Sequence, residues 1–176
     1  MKACRFLWVA LLFVAVSCGS VRVTTDYDNE ADFSTYRTFA FYKKGIDKAA
    51  ISDLDKRRIL KAIEQALLQK GFTKSDTPDL LVNIFTKSRQ KLTVHNDRYY
   101  SGWYPWYYGP HVGTHISNYT EGTLFIDLID ARKKTLAWQG IGSGFLVTSG
   151  NKPKKEARIR EFVSEIMTKY PPGSSE

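Results

Sequence analysis

The chain has little of what would hold together a small secreted scaffold. Of its 176 residues only two are cysteine, six are proline and two are methionine. Both cysteines, Cys4 and Cys18, lie at the N-terminal end, so no disulfide framework can staple the body of the chain. No internal repeat, glycine period or proline tract suggests a fibre. Beyond residue 17 no run is apolar enough to span a bilayer as a helix. A charged fraction of 25% with 14% aromatics is equally far from a disordered chain. What remains is one ordinary domain, long enough to close a core unaided.

Signatures of catalysis are missing as well. Gly140-Ile141-Gly142-Ser143-Gly144 carries its glycines at the wrong offsets for a nucleophile elbow. Phe145 stands where the third glycine of a dinucleotide fingerprint is required. We read these glycines as letting the end of a strand bend or bulge. No Walker A, H-E-x-x-H or EF-hand pattern occurs. His95, His111 and His115 fall in a Gly/Pro-rich stretch, without the three convergent ligands a metal needs, and read as exposed loop histidines. Neither cofactor nor metal is expected, and the chain reads as a non-enzyme.

What is there begins with a leader. Lys2 and Arg5 precede an uninterrupted apolar run from Phe6 to Val16, closed by Ser17-Cys18. A charged start, a short apolar stretch and small residues before a cleavage point describe a secretory signal over residues 1–17. As a helix, Phe6 to Val16 rises only about 16 Å, against a hydrocarbon core of ~30 Å. The segment resembles a bacterial lipobox, in which a small residue precedes a cysteine that is acylated and becomes the new N-terminus. Ser17 fits that pattern; Ala15 departs from the leucine it prefers. Acylation also accounts for a lone cysteine in an oxidising compartment. We therefore expect Cys18 to be lipidated and residues 18–30 to form the lipidated N-terminus and a tether.

Without Lys2 and Arg5 the formal charge falls from +8 to +6. The cations are dispersed along the chain, and export makes nucleic acid an improbable partner. The expected partners are the membrane, through Cys18, and an envelope protein or glycan.

A single domain is expected over residues 31–170. Val21, Val23 and Thr25 alternate, and residues 37–42 read as a strand. Ser52 with Asp55 resembles a capping box. Ile59, Ile63, Ala66 and Leu67 then recur at helical spacing up to Gly71, a left-handed cap, giving a helix of about 52–70. Leu80 to Thr86 is a strong strand, with both faces partly covered. Thr123 to Ile129 and Thr135 to Ile141 form a hairpin around Asp130–Lys134, with Leu136 and Trp138 on one face. Lys154 to Lys169 places Ile159, Phe162, Val163, Ile166 and Met167 in one apolar stripe. Phe162 should be core and Lys155 plain surface. Residues 171–176 read as a disordered tail.

The element order is β-β-α-β-insert-β-β-α. Helices do not alternate strictly with strands, so the fold class is α+β: a two-layer sandwich with a mixed or mostly antiparallel sheet and two helices on one face.

Residues 88–120 form an insert too long for a routine connection. Tyr99, Tyr100, Trp103, Tyr104, Trp106, Tyr107 and Tyr108 lie within ten residues there. Such rings suit a wet binding surface or a membrane interface. These seven are the candidate binding surface, with Trp103 and Trp106 as anchors. The competing outcome is that the segment forms two more strands and hides its rings.

Several segments together resemble a known family. They are YDNEADFSTYRTFAFY (27–42), ALLQKGF (66–72), TPDLLVNI (77–84) and EGTLFIDLIDARKKTLAWQGIGSG (121–144), after the lipobox cysteine. In order and spacing they resemble the domain-of-unknown-function 4136 lipoproteins of bacterial envelopes. The resemblance implies a small α+β envelope lipoprotein with no catalytic residue to carry over. The function expected is thus a non-catalytic cell-envelope lipoprotein, facing the periplasm at the outer or inner membrane. Its rivals are an enzyme acting on envelope polymers through a carboxylate pair among Glu121, Asp127 and Asp130, or a purely structural spacer.

Overall fold

The computed structural model describes residues 21–97, 113–148 and 150–173, with side chains placed over 21–90, 119–148 and 150–173. Among the described residues nine elements follow one another: β1 (Val21–Tyr27), β2 (Thr38–Phe41), α1 (Lys43–Ile46), α2 (Asp53–Gln69), β3 (Thr73–Lys74), β4 (Leu80–Asp97), β5 (Gly113–Asp130), β6 (Leu136–Phe145) and α3 (Lys152–Met167). The strands make one mixed sheet in the order β1-β6-β5-β4-β2-β3. β2 is parallel to β3 and β4, and the other pairs are antiparallel. The α+β class holds.

Local chemistry sets the helix ends. Ser52 Oγ accepts from the Asp55 amide, satisfying one of the free N–H groups at the start of α2. Gly71, at φ +85°, ends it, and Phe72 N–H returns to the Leu67 carbonyl at 3.0 Å. Asn151 caps α3 in the same way, accepting from the Lys154 amide. Among the described residues no helix is long and apolar enough to cross a membrane.

The core lies between the two long helices and one face of the sheet. Ile59, Ile63 and Leu67 of α2 and Phe162, Val163 and Ile166 of α3 are buried against Phe39, Val82, Ile84, Leu124, Ile126 and Trp138. A β-bulge opens where Leu128 pairs with Trp138 but Ile129 pairs with Leu136. The extra residue, Ala137, shifts the alternation by one, so Leu136 is exposed while Trp138 is fully buried. The expectation that these two share a face fails at that bulge.

The glycines of β6 have a different task from the bend expected of them. A Cβ on Gly142 would sit 2.8 Å from Ile166 Cδ1, and one on Gly140 would strike Ile166 and Trp138. Their absence of side chain lets α3 lie close on the sheet.

Two segment boundaries also change. Residues expected as tether are sheet from Val21 onward, because β1 pairs with β6 from Val21↔Gly144 to Tyr27↔Trp138. Residues 88–120 are not a plain insert. β4 and β5 hold one unbroken register from Leu80↔Asp130 to Asp97↔Gly113. Their 18 residues each reach about 60 Å, whereas the 17- and 16-residue helices rise about 25 Å. Half of the hairpin therefore projects beyond the helices as a two-stranded arm. At the C-terminal end, Pro171 to Gly173 are described and Pro172 is partly buried.

Candidate functional site

The arm leaves the domain at its most distinctive surface. Over 80–90 of β4 and 119–130 of β5, even-numbered residues face the helices and odd-numbered ones the other side, and a concavity lies on each side of the arm's base. On the helix side, a pocket of about 400 Å³ opens between α2, α3 and the sheet, walled by Ile59, Leu124, Leu146, Ile159 and Phe162. Its rim is charged. Asp55 accepts from Lys155 Nζ at 2.6 Å and pairs with Arg58 at 2.9 Å, while Arg58 also reaches Glu156 at 3.2 Å. Partial burial would raise the Asp55 carboxyl, but Lys155, Ser52 and Arg58 outweigh it and hold the group below its ordinary value. Lys155 is thus a bridge between the two helices, not the plain surface lysine expected.

On the opposite face neither α2 nor α3 covers the sheet, and the short α1 lies against it at Asn83, next to Gly45. An open groove of about 470 Å³ runs across the strands between Arg22, Lys87, Arg89, Glu121, Thr123 and Ser143. Arg22 Nη2 meets Glu121 Oε1 at 2.6 Å with 78% of the Arg22 side chain in solvent. Next to it lie aromatic rings. Phe85 and Phe125 pack at 5.6 Å, and Lys87 Nζ sits 5.7 and 5.5 Å from their centroids. Tyr119 meets Phe145 edge-on at 4.7 Å. Phe85 and Phe145 are 43% and 56% exposed, so the face expected to be partly covered is open there. Farther along the same face, Asp127 accepts from Asn83 Nδ2 at 3.1 Å and Gln139 Nε2 at 2.7 Å. Three cations surround one carboxylate at the arm's base, with flat apolar rings beside them.

Cys18 and the rings Tyr99, Tyr100, Trp103, Tyr104, Trp106, Tyr107 and Tyr108 lie outside the described residues, as does His111. The structure supplies the frame around them: β1 begins three residues after Cys18, and the ten-residue aromatic stretch falls in sequence between β4 and β5. His95 and His115 belong to strands rather than a loop, and stand opposite each other in the arm's register.

The three carboxylates considered as a hydrolytic pair are kept apart. Glu121 and Asp127 are six residues along one strand, about 20 Å. Asp130 is at the far end, where its Oδ1 accepts from the Arg132 and Lys133 amides at 2.8 and 2.9 Å and its Oδ2 from Tyr36 Oη at 2.9 Å. Each has structural partners.

The groove cations Arg22, Lys87 and Arg89 and the rings Phe85, Phe125 and Phe145 were not singled out from sequence. The available signal was the alternation Phe85-Lys87-Arg89, which needs the cross-strand register before it becomes a patch.

Sheet, helices and arm define a two-layer α+β sandwich with a long antiparallel hairpin projecting from one end. The chain belongs to the family described as a domain of unknown function (DUF4136), whose model matches residues 23–172. No curated protein matches it. Among solved structures, a PDZ domain protein from Parabacteroides distasonis is similar over 94% of this chain, at 16% identity and a TM-score of 0.53. This chain spans 40% of that protein's length, and the likeness is one of fold. Two PelC dodecamer structures from Paraburkholderia phytofirmans are more distant, with TM-scores of 0.42 and 0.47 at 8% and 10% identity. Each covers 84% of this chain, and 95% and 96% of its own.

Proposed function

We propose that this protein is a non-catalytic lipoprotein of the bacterial cell envelope. It is anchored through acylated Cys18, faces the periplasm at the outer or inner membrane, and binds another envelope component, protein or glycan, along its arm. The observation that carries the reading is the arm itself. A hairpin that runs about 30 Å past its helices costs chain order, and among the described residues no third strand pairs with its outer half. Such a structure is maintained for contact. Its base carries exposed aromatic rings among cations, and the chain between its strands is the Tyr/Trp-rich stretch. The separation of Glu121, Asp127 and Asp130 gives the hydrolytic alternative no support.

The test replaces Tyr99–Tyr108 by a short Gly-Ser linker and compares melting temperature with crosslinked partners in the envelope. The reading expects unchanged melting and loss of the crosslinks seen with wild type. A fall in stability of several kcal/mol would make those rings core and remove the site.

A further inference from the structure

We propose that the open face of the sheet, around the arm's base, rests on the phospholipid surface in which Cys18 is anchored. This rests on the lipoprotein reading above and adds an orientation to it. Only Gly19 and Ser20 separate Cys18 from β1, so the Val21 Cα lies within about 11 Å of the acylated residue. With no tether to swing on, that corner of the sheet must sit at the headgroups.

The register decides which part of the molecule shares this corner. Val21 pairs with Gly144, Gly144 with Gly122 and Gly122 with Ser88, so the arm projects from the end where the anchor enters. Pointed into the bilayer, an arm of about 30 Å would carry Arg89, Lys91, His95 and Asp97 into hydrocarbon. Charges there are too costly to persist. The arm therefore lies along the surface, and one face of the sheet lies with it.

The helix-covered side turns α2 and α3 outward. The open side presents Arg22, Lys87 and Arg89 around Glu121, which pairs with Arg22, and Phe85 and Phe145 are exposed beside them. Cations beside aromatic rings match the phosphate and interfacial layers of an anionic membrane.

The experiment uses the acylated protein in phosphatidylethanolamine vesicles containing phosphatidylglycerol and brominated lipid. A fluorophore is attached at Phe145→Cys or Thr24→Cys on the open face, or at Lys61→Cys on the outer side of α2; agreement of the two open-face sites guards against a variant that misfolds. Quenching is expected to be several-fold stronger at the open-face sites, and the contrast to shrink when Lys87→Glu and Arg89→Glu are added. Equal quenching on both sides of an acylated protein, or stronger quenching at Lys61→Cys, overturns the orientation alone. A mature protein whose intact mass shows no acyl chain overturns the anchored reading as well.

Discussion

At the scale of single residues, Asp130 shows how the domain closes its far end. Burial by itself would raise this carboxyl, but the Lys133 amide, the Tyr36 hydroxyl and the Arg132 amide all bind the ionised form and hold it below its ordinary value. Asp79 is lowered by the Arg37 amide first and by Thr38. Carboxyls depressed in the folded state contribute stability that is present above their unfolded value, near pH 4, and is lost as pH falls through the folded one. Asp130→Asn should therefore cost about 1.5–3 kcal/mol at neutral pH, the range for hydrogen bonds to a charged group. That difference should shrink as both proteins are taken toward pH 3 in denaturant titrations; a difference independent of pH would show that the charge is not the cause. Tyr36 carries the opposite sign. Burial, then its bond to Asp130, pushes it up to about 12, so its contribution is complete below pH 10 and declines between 10 and 12. None of this was legible in the sequence, which shows Asp130 only as one member of a turn. Tyr36 lies 94 residues away.

At the scale of elements, legibility followed the presence of an apolar face. α2 could be read almost to the residue because Ser52, Gly71 and the spacing of Ile59, Ile63 and Leu67 all indicate the same helix. α3 was legible from its stripe, and its N-terminal cap, Asn151, adds what the stripe does not show. The arm was read as strand only in the competing outcome, since Leu92 and Val94 alternate in β4 while residues 113–120 of β5 hold a single aliphatic residue, Ile116. The bulge at Ala137 was hidden because an extra residue is defined only against a partner strand. Nor does spacing reveal what would fill the place of a missing side chain, so the glycines of β6 were read as a bend when they admit α3. That packing makes a clear prediction. Phe162, 4% exposed beneath the Arg158 guanidinium, should cost about 3–5 kcal/mol when cut to alanine. Arg160→Ala, at an exposed position on the same helix, should leave the melting temperature nearly unchanged. Lys155→Ala is not a neutral control, since it breaks the bridge to Asp55. Equal and small losses at Phe162 and Arg160 would mean that α3 does not pack.

At the scale of the whole molecule, the proposed function depends on where the domain is held and what its arm meets. The helices and β6 build a compact body. β4 and β5 pass through it and continue beyond, and β1 fixes the N-terminal end to the same side. β1 begins three residues after Cys18, so acylation there would hold the arm's base close to the membrane. The anchor is thus the assumption on which location, orientation and choice of partner all depend. The most direct measurement is fractionation of cells producing the wild type or Cys18→Ala, with a high-salt wash of the membranes and the intact mass of the retained protein. The account predicts that wild type stays with the washed membranes carrying acyl chains on Cys18, because several acyl chains give stable attachment, while Cys18→Ala is released. Cys18→Ala retained after the wash, or wild type recovered without acyl chains, would contradict it.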